Sequence, residues 1–356
     1  MPGRDHPTRS HGGVIPGELA ALGVPLDRVL DVSSSCNPYG PCAQVLDAIR
    51  AAPVDRYPDP TAAAARAAIA DQLATSADRI ALGHGAAELL WTLAAVLVRP
   101  GTRAVIAEPT FGEFPAAVLH AGGERCAWRA RPDDGFAVDL AAIGRLLDER
   151  AATVVYLCSP GTPTGNAIPA AAVRALAEAH PAVTLVFDQS FATLSERWAD
   201  LAVTMPDNVA CVRSLTKDHA IPGVRVGYAV ASPALIARIE GARPAWPTSA
   251  ITQAAAIAAC AAAGFVADSR ARVLADRRAL ADQLAGLGLR PAPSTAGFLA
   301  VATGDAPGLR RRLLERHHIL VRDCTSFGLP DHIRVAARPA GDRARLVAAL
   351  AQELAR

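Results

Sequence analysis

The sequence predicts an α/β protein in which helices cover both faces of a mostly parallel sheet, followed by a smaller α+β unit. Short apolar runs rich in β-branched residues alternate with helical segments through the middle of the chain, which is typical of a parallel sheet. Towards the C-terminus this alternation changes to a separate set of strands and helices. At 356 residues the chain is also too long for one ordinary core. We therefore expect a large domain and a small one.

The strands of the large sheet are predicted from five buried apolar runs: AVIAE (104–108), TVVYLCS (153–159), VTLVFD (183–188), ACVRS (210–214) and VGYAVA (226–231). The helices between them are predicted at 140–150 and 170–180. The small unit is predicted from strands at 297–303, 319–323 and 333–338, with helices near 307–317 and 341–355. We expect three regions: an N-terminal arm (1–40), a large domain (41–248), and an interdomain helix with the small domain (249–356).

The composition excludes several classes of protein. A hydrophobic content of 51% with 20% charged residues is typical of a globular chain, and a net charge of +2 favours neither nucleic acid nor a membrane surface. Seven cysteines without a CxxC pair argue against a zinc site and fit reduced thiols. The alanine-rich run 249–267 carries Thr252 and Gln253, which favours a packed helix over a membrane span. We therefore expect a cytoplasmic protein without metal, nucleic acid or membrane partners.

Lys217 is the first candidate for chemistry. It follows the predicted strand ACVRS, and parallel sheets bind ligands at the carboxyl ends of their strands. A buried lysine has a depressed pKa and can attack an aldehyde to form a Schiff base. The alternative is a lysine that only extends from a loop into solvent, which is the commoner case for a lysine taken alone.

Asp188 ends the strand VTLVFD, where a carboxylate could pair with a pyridine nitrogen and keep it protonated. Its alternative role is a helix cap. Arg225, with the hydroxyls of Ser214 and Thr216, offers ligands for a phosphate. Their alternatives are a surface ion pair and two ordinary strand-end hydroxyls.

The segment GHGAAELLWTLAAVL (83–97) is a glycine turn that opens into a helix, so the amides of Ala86 and Ala87 form a potential anion site. Phe111 follows a strand end, where its ring could stack on a flat cofactor or simply belong to the core. A lysine, an aspartate, a phosphate site and an aromatic ring, each at a strand end, are what pyridoxal 5'-phosphate (PLP) requires.

Several motifs carry a resemblance to a known family: HGG (11–13), NPYG (37–40), RYPDP (56–60), PTFGEF (109–114), SPGTPTG (159–165), SLTKDHAIPGVRVGY (214–228) and the segment from ILVRD (319–323) to LVAAL (346–350). With them the chain resembles a fold-type I PLP-dependent enzyme of the aspartate aminotransferase superfamily. Among these it is most similar to the L-threonine-O-3-phosphate decarboxylases and their relatives, the histidinol-phosphate aminotransferases. The resemblance implies a seven-stranded, mostly parallel sheet in the large domain.

The resemblance also implies residue roles. Lys217 would form the Schiff base and Asp188 would pair with the pyridine nitrogen. The other implied cofactor ligands are Ala86, Ala87, Phe111, Thr162, Ser214, Thr216, Arg225 and, from a second subunit of a homodimer, Tyr57. The implied substrate ligands are His11, Asn37, Arg322 and Arg334. The alternative for the arginines is ion pairing within the small domain, which is a stronger rival for Arg338 than for Arg334.

Three departures from the family pattern surround the reacting centre. Thr162 stands where the family has an asparagine that bonds the ring oxygen of the cofactor, and Phe191 stands where a tyrosine hydroxyl serves that oxygen. Asp218 and His219 follow the lysine where the decarboxylases have an aromatic residue.

The main functional prediction is decarboxylation of a phosphorylated or otherwise anionic α-amino acid. The alternative is transamination of a similar amine such as histidinol phosphate. Sequence names the arginines but not the angle at which they hold the substrate, and that angle decides which Cα bond breaks. A regulatory, cofactor-binding relative and an aldolase-like lysine without cofactor are weaker alternatives, because neither needs Lys217, Asp188 and Arg225 together.

Overall fold

The computed structural model describes residues 11–355, so residues 1–10 of the predicted N-terminal arm lie outside the described residues. The strands are β1 (Leu30–Asp31), β2 (Ile80–Gly83), β3 (Arg103–Glu108), β4 (Glu124–Arg129), β5 (Val154–Cys158), β6 (Thr184–Asp188), β7 (Val209–Ser214), β8 (Gly227–Val230), β9 (Phe298–Ala302), β10 (Ile319–Leu320), β11 (Arg322–Asp323) and β12 (His332–Ala336).

The helices are α1 (Pro16–Leu22), α2 (Ala43–Arg50), α3 (Ala63–Gln72), α4 (Gly85–Leu97), α5 (Glu113–His120), α6 (Leu140–Arg150), α7 (Ala170–Ala179), α8 (Leu215–Asp218), α9 (Pro233–Gly241), α10 (Ala250–Ala261), α11 (Ala263–Gly286), α12 (Ala306–His317) and α13 (Ala340–Leu354).

The large sheet has seven strands in the order β2-β8-β7-β6-β5-β3-β4. The neighbours from β7 through β4 pair in parallel, whereas β8 is antiparallel to both β7 and β2. The mostly parallel sheet predicted from the sequence is therefore confirmed. Because its parallel strands run the same way, β3, β5, β6 and β7 bring their carboxyl ends to one edge.

Helices cover both faces of this sheet, which explains why its central strands are apolar on both sides. On one face, Ile106 and Val186 pack against α4, α5 and α9. On the other face, Val105 and Leu185 pack against α6 and α7. Alternate residues of each strand thus serve two separate core clusters.

The alanine-rich segment is not one helix, as the sequence suggested. It forms all of α10 and the start of α11, and the two helices meet at an angle of 74° next to Ala262. Helix α10 packs closely on α2 and α3 through Ala255, Ala256 and Ala259, where small side chains permit close approach. No single helix among residues 11–355 is long and apolar enough to cross a membrane; only the bent α10–α11 pair passes that test, by length and composition.

The C-terminal unit is built on the antiparallel sheet β11-β12-β9, covered by α12 and α13. The predicted strand 319–323 is divided in two: β10 pairs in parallel with β1, and β11 pairs with β12. The N-terminal segment that contains β1 therefore packs with this C-terminal unit, through Leu30 and Val32. The exact division of the chain at residues 40 and 248 stays a prediction.

Candidate active site

A cavity of about 480 Å³ lies at the carboxyl edge of the large sheet, between it and the C-terminal unit. Twelve of the fourteen predicted site residues line this cavity: His11, Ala86, Ala87, Phe111, Thr162, Asp188, Ser214, Thr216, Lys217, Arg225, Arg322 and Arg334. Residues that lie up to 323 positions apart in sequence are thus brought to one place, as the strand-end argument predicted.

Lys217 is carried by the short helix α8, which directly continues β7. The hydroxyl of Thr216 donates to the carbonyl of Val226 and accepts from its amide, both at 2.9 Å, which fixes the start of α8 against the returning chain. The Lys217 Nζ lies 4.6 Å from the centre of the Phe191 ring. The lysine therefore points into the cavity with an aromatic face beneath it, and a snorkelling surface role is excluded.

Asp188 lies at the end of β6 with only 2% of its surface exposed. Its Oδ2 accepts a hydrogen bond from the Tyr156 hydroxyl and its Oδ1 accepts from the Ser190 amide, each at 2.9 Å. Burial, and then the charge of Asp188, raise the pKa of Tyr156 well above its usual range, so its hydroxyl stays a neutral donor. Two donors hold the carboxylate in place while it faces the cavity.

The N-terminus of α4 and the guanidinium of Arg225 form a candidate anion site. Gly85 has φ +80°, and a Cβ built on it would lie 2.7 Å from Arg225 Nη2. A Cβ on Gly227 would lie 2.6 Å from the Ala86 amide nitrogen. Both glycines are therefore required for the arginine and the strand to approach the helix end this closely. A guanidinium above free amides favours a phosphate.

His11 closes the cavity from the N-terminal side. Its Nε2 lies 2.7 Å from Glu113 Oε1, and its ring centre lies 5.4 Å from that of Phe111. Glu113 is buried, and its Oε2 accepts a hydrogen bond of 2.6 Å from Trp91 Nε1. Sequence analysis missed Glu113 and Trp91, and Tyr156 beside Asp188, because each acts through a partner that is distant in the chain.

Arg322 and Arg334 occupy directly opposite positions on the antiparallel strands β11 and β12. Both guanidinium-bearing residues are buried, with 3% and 6% of their surface exposed. The pKa of Arg334 is lowered to about 10, chiefly by burial and in part by the charge of Arg322. Like charges opposite each other destabilise a sheet pair. A bound anion would offset that repulsion, so the pair is suited to an acidic ligand.

Two predicted site residues lie outside the cavity wall. Asn37 is buried behind the cavity wall. Its backbone N–H donates to the backbone carbonyl of Lys217, and its side-chain Nδ2 donates to the backbone carbonyl of Asp218, both at 2.9 Å. It therefore anchors α8. Tyr57 is 77% exposed and stacks on Trp246, with 4.4 Å between ring centres. Within this chain Tyr57 does not reach the cavity.

The residues present fit PLP. The cavity offers an amine, a phosphate site and a flat aromatic ring of Phe111. Its buried carboxylate, Asp188, has hydrogen-bond donors but no cationic partner within ion-pair distance among residues 11–355, and a protonated ring nitrogen would supply one. Thr162 Oγ1 accepts from Arg334 Nη1 at 2.6 Å, so its own proton remains available to a ring oxygen.

Comparisons with known proteins agree with this site. The family model for "Aminotransferase class I and II" matches residues 27–352. Histidinol-phosphate aminotransferase 1 of Dechloromonas aromatica is 32% identical over 351 residues, covering 95% of this chain and 93% of that protein. The crystal structure of histidinol-phosphate aminotransferase from Sinorhizobium meliloti in complex with PLP has a TM-score of 0.86 at 28% identity, covering 96% and 95% of the two chains.

The L-threonine-O-3-phosphate decarboxylase of Porphyromonas gingivalis is a more distant structural neighbour. Its TM-score is 0.75 at 24% identity, covering 88% of this chain and 94% of that one. At this level of identity the likeness shows the fold alone.

Proposed function

The chain belongs to the aminotransferase class I and II family and is a PLP-dependent enzyme, and from that premise we propose that it transfers the amino group of a small phosphorylated amine or amino acid. The observation that carries this proposal is the cavity that joins Lys217 and Asp188 to the buried pair Arg322 and Arg334. A substrate with an amine at one end and an anion at the other matches that arrangement.

The relatives favour transamination, the second of the two sequence predictions, over decarboxylation. Two relatives that are 32% identical and match 95% and 91% of this chain are histidinol-phosphate aminotransferases. The decarboxylase neighbour is less similar in both sequence and structure. His11, the histidine of the HGG motif, lines the cavity, where it can serve either reaction.

We infer the following assignment for the cofactor. Lys217 binds it covalently, Asp188 pairs with its ring nitrogen, and Arg225 with the first amides of α4 binds its phosphate. Phe111 covers one face of the ring. When bound, the cofactor supplies an electron sink for the bonding electrons left at the substrate Cα.

The remaining residues bind and orient the substrate. Arg334, held by Thr162 and by the carbonyl of Ser33, presents its remaining N–H groups to a substrate carboxylate or hydroxymethyl group. Arg322, whose Nη2 donates to the Ser326 hydroxyl, binds the distal phosphate. Lys217 Nζ, which lines the same cavity, would be the base that takes the proton from the substrate Cα and holds it.

We also propose a homodimer in which Tyr57 reaches the phosphate site of the partner subunit. The support is the exposure of the stacked Tyr57–Trp246 pair, because two large aromatic side chains 77% and 45% exposed are costly on a free surface. Light scattering tests the dimer, and Tyr57→Phe tests the contact: it should weaken PLP binding without dissociating the dimer.

The proposed reaction is tested with purified protein reconstituted with PLP. Histidinol phosphate and O-phosphothreonine are the amino donors, histidinol and threonine are their matched unphosphorylated controls, and 2-oxoglutarate is the acceptor. We expect glutamate from a phosphorylated donor and no carbon dioxide. Carbon dioxide released in step with substrate loss, without glutamate, would restore decarboxylation. A protein that stays colourless with PLP, or whose colour persists in Lys217→Ala, would contradict the site itself.

A further inference from the structure

A second, smaller cavity of about 20 Å³ adjoins the active-site cavity behind Lys217. Its polar lining comes from Ser35, Cys36, Ser190, Lys217 and Asp218, and the rest of its wall is apolar. A water molecule needs roughly 10–15 Å³ of such space and two to four polar partners. The cavity therefore has the size and the lining for one water.

Two hydroxyls in this lining need a partner. The Oγ atoms of Ser35 and Ser190 are buried and have no hydrogen-bond partner among residues 11–355, and Ser190 as a whole is only 4% exposed. A buried hydroxyl without a hydrogen-bond partner is unfavourable, because it has lost its bonds to water. One water bonded to both hydroxyls would remove that cost. Lys217 and Asp218 line the same small space, so such a water would lie beside both.

Asp218 is 4% exposed, and no step of the proposed reaction uses it directly. Burial raises the pKa of its carboxyl to about 7, although the Thr193 hydroxyl and nearby cations oppose that shift. The charged or titratable groups that face it are Lys217 on α8, Arg213 on β7, Arg270 on α11 and Tyr228 on β8. Its neighbour His219 adds no charge near neutral pH, because burial lowers the pKa of that imidazole to about 4.

We propose that Asp218 stores the proton that leaves Lys217, connected to the amine by one water that Ser35 and Ser190 hold in the small cavity. The proton on Nζ passes to the water while the water passes one of its own protons to the carboxylate, so a neutral amine and a neutral acid result. The reverse transfer restores the ammonium. An acid that titrates near the working pH performs such transfers best.

This inference rests on the proposed role of Lys217 as the amine that binds the cofactor. It adds a positioning residue to that role, because Asp218 acts through the water and does not touch the reacting carbon. It also gives a physical reason for an aspartate at a position where the resemblance to the decarboxylases leads one to expect an aromatic residue.

The first measurement uses the apoprotein and no catalysis. Infrared difference spectra between about pH 5 and pH 9 should show the C=O stretch of a neutral carboxylic acid that is lost near neutrality. Asp218→Asn should remove that band, and Asp71→Asn, at an exposed aspartate, should not. A spectrum in which Asp218→Asn removes no neutral-acid band at pH 5 would overturn the proposal, because the carboxylate would then be ionised throughout.

The second measurement is the rate at which the apoprotein becomes yellow after addition of PLP near pH 7. Asp218→Asn and Ser190→Ala should each slow this rate by about tenfold, less than for a group in direct contact with the reacting atom. Thr303→Val is the matched control, because its Oγ1 is also buried without a partner among the described residues but lies outside both cavities. Its rate should equal that of the wild type.

The outcomes separate the two proposals. Equal rates in all variants, with a final absorbance that depends on Lys217, would reject the proton store and leave the cofactor site standing. If the wild type and Lys217→Ala develop the same absorbance with PLP, the cofactor site itself would be rejected, and the proton store with it. Slow reaction in Asp218→Asn but not in Ser190→Ala would reject the bridging water, and with it the proposed connection.

Discussion

The buried carboxyl of Asp218 should impose a pH dependence on stability that one isosteric substitution removes. In the folded chain its pKa is about 7, against 3.8 for a free aspartate, because burial disfavours the charged form. Between these two values the folded state holds one more proton than the unfolded state. This contribution to stability is therefore complete below the lower value and is lost as the pH rises to the upper one.

The size of the effect follows from the two pKa values. Each unit corresponds to about 1.4 kcal/mol, so the whole window amounts to about 4 kcal/mol. Between pH 5 and pH 8 only the two pH units from 5 to 7 contribute, so the free energy of unfolding should fall by about 3 kcal/mol over this range. The residue is almost fully buried, so solvent screening does not reduce this figure much. Asparagine has the same shape and no charge to lose, so Asp218→Asn should not show the decline.

The assay is urea unfolding of the apoproteins at four values from about pH 5 to pH 8. The free energy of unfolding of Asp218→Asn minus that of the wild type should increase by about 3 kcal/mol over this range. Asp71→Asn, an exposed substitution on α3, controls for the loss of a negative charge and should give a constant difference. Parallel curves for wild type and Asp218→Asn would refute the argument, because they would show that the carboxyl titrates alike in the folded and unfolded chain.

Three further substitutions test other parts of the structure. Gly85→Ala forces a Cβ to 2.7 Å from Arg225 Nη2 at φ +80°, so the Kd for PLP in an absorbance titration should rise by about tenfold; an unchanged Kd would contradict the anion site. Arg322→Gln should raise KM for a phosphorylated donor by roughly ten- to a hundredfold and leave KM for the unphosphorylated analogue almost unchanged; equal increases would exclude Arg322 as the phosphate ligand. Glu353→Gln should lower the free energy of unfolding by about 1–3 kcal/mol, because its carboxylate, with a side chain 1% exposed, accepts from Arg312, Arg316 and His317; an unchanged midpoint would show that this cluster is energetically neutral.

The sequence predicted the centre of the large sheet well and its edges poorly. The central strands are continuous apolar runs because helices cover both of their faces, and that pattern is visible in one dimension. Strand β4 (ERCAWR) lies at the edge and carries exposed residues at alternate positions, so no apolar run marks it. Strand β2 has only four residues and pairs antiparallel with β8, so the strand–helix alternation does not reveal it.

The site shows the same division. Residues at strand ends, such as Asp188 and Lys217, could be predicted because topology alone brings strand ends together. Glu113 could not, because its partners His11 and Trp91 come from an N-terminal segment and a helix whose approach depends on packing. The small cavity behind Lys217 was equally hidden: Ser35 and Ser190 lie 155 positions apart and share no motif.

Thr162, which stands where the family pattern has an asparagine, links the proposed cofactor ligands to the proposed substrate ligand Arg334 by a hydrogen bond. Arg334 Nη1 donates to Thr162 Oγ1, and its Nη2 donates to the carbonyl of Ser33 at 2.5 Å, so the plane of the guanidinium is fixed from both sides. Its Nε has no partner among residues 11–355 and is left for a ligand. A substrate carboxylate bound there would have little freedom to rotate, and this would fix the orientation of the bonds at the substrate Cα. Under the proposed function, Thr162 and Ser33 would therefore act through Arg334 on the choice between losing a proton and losing carbon dioxide.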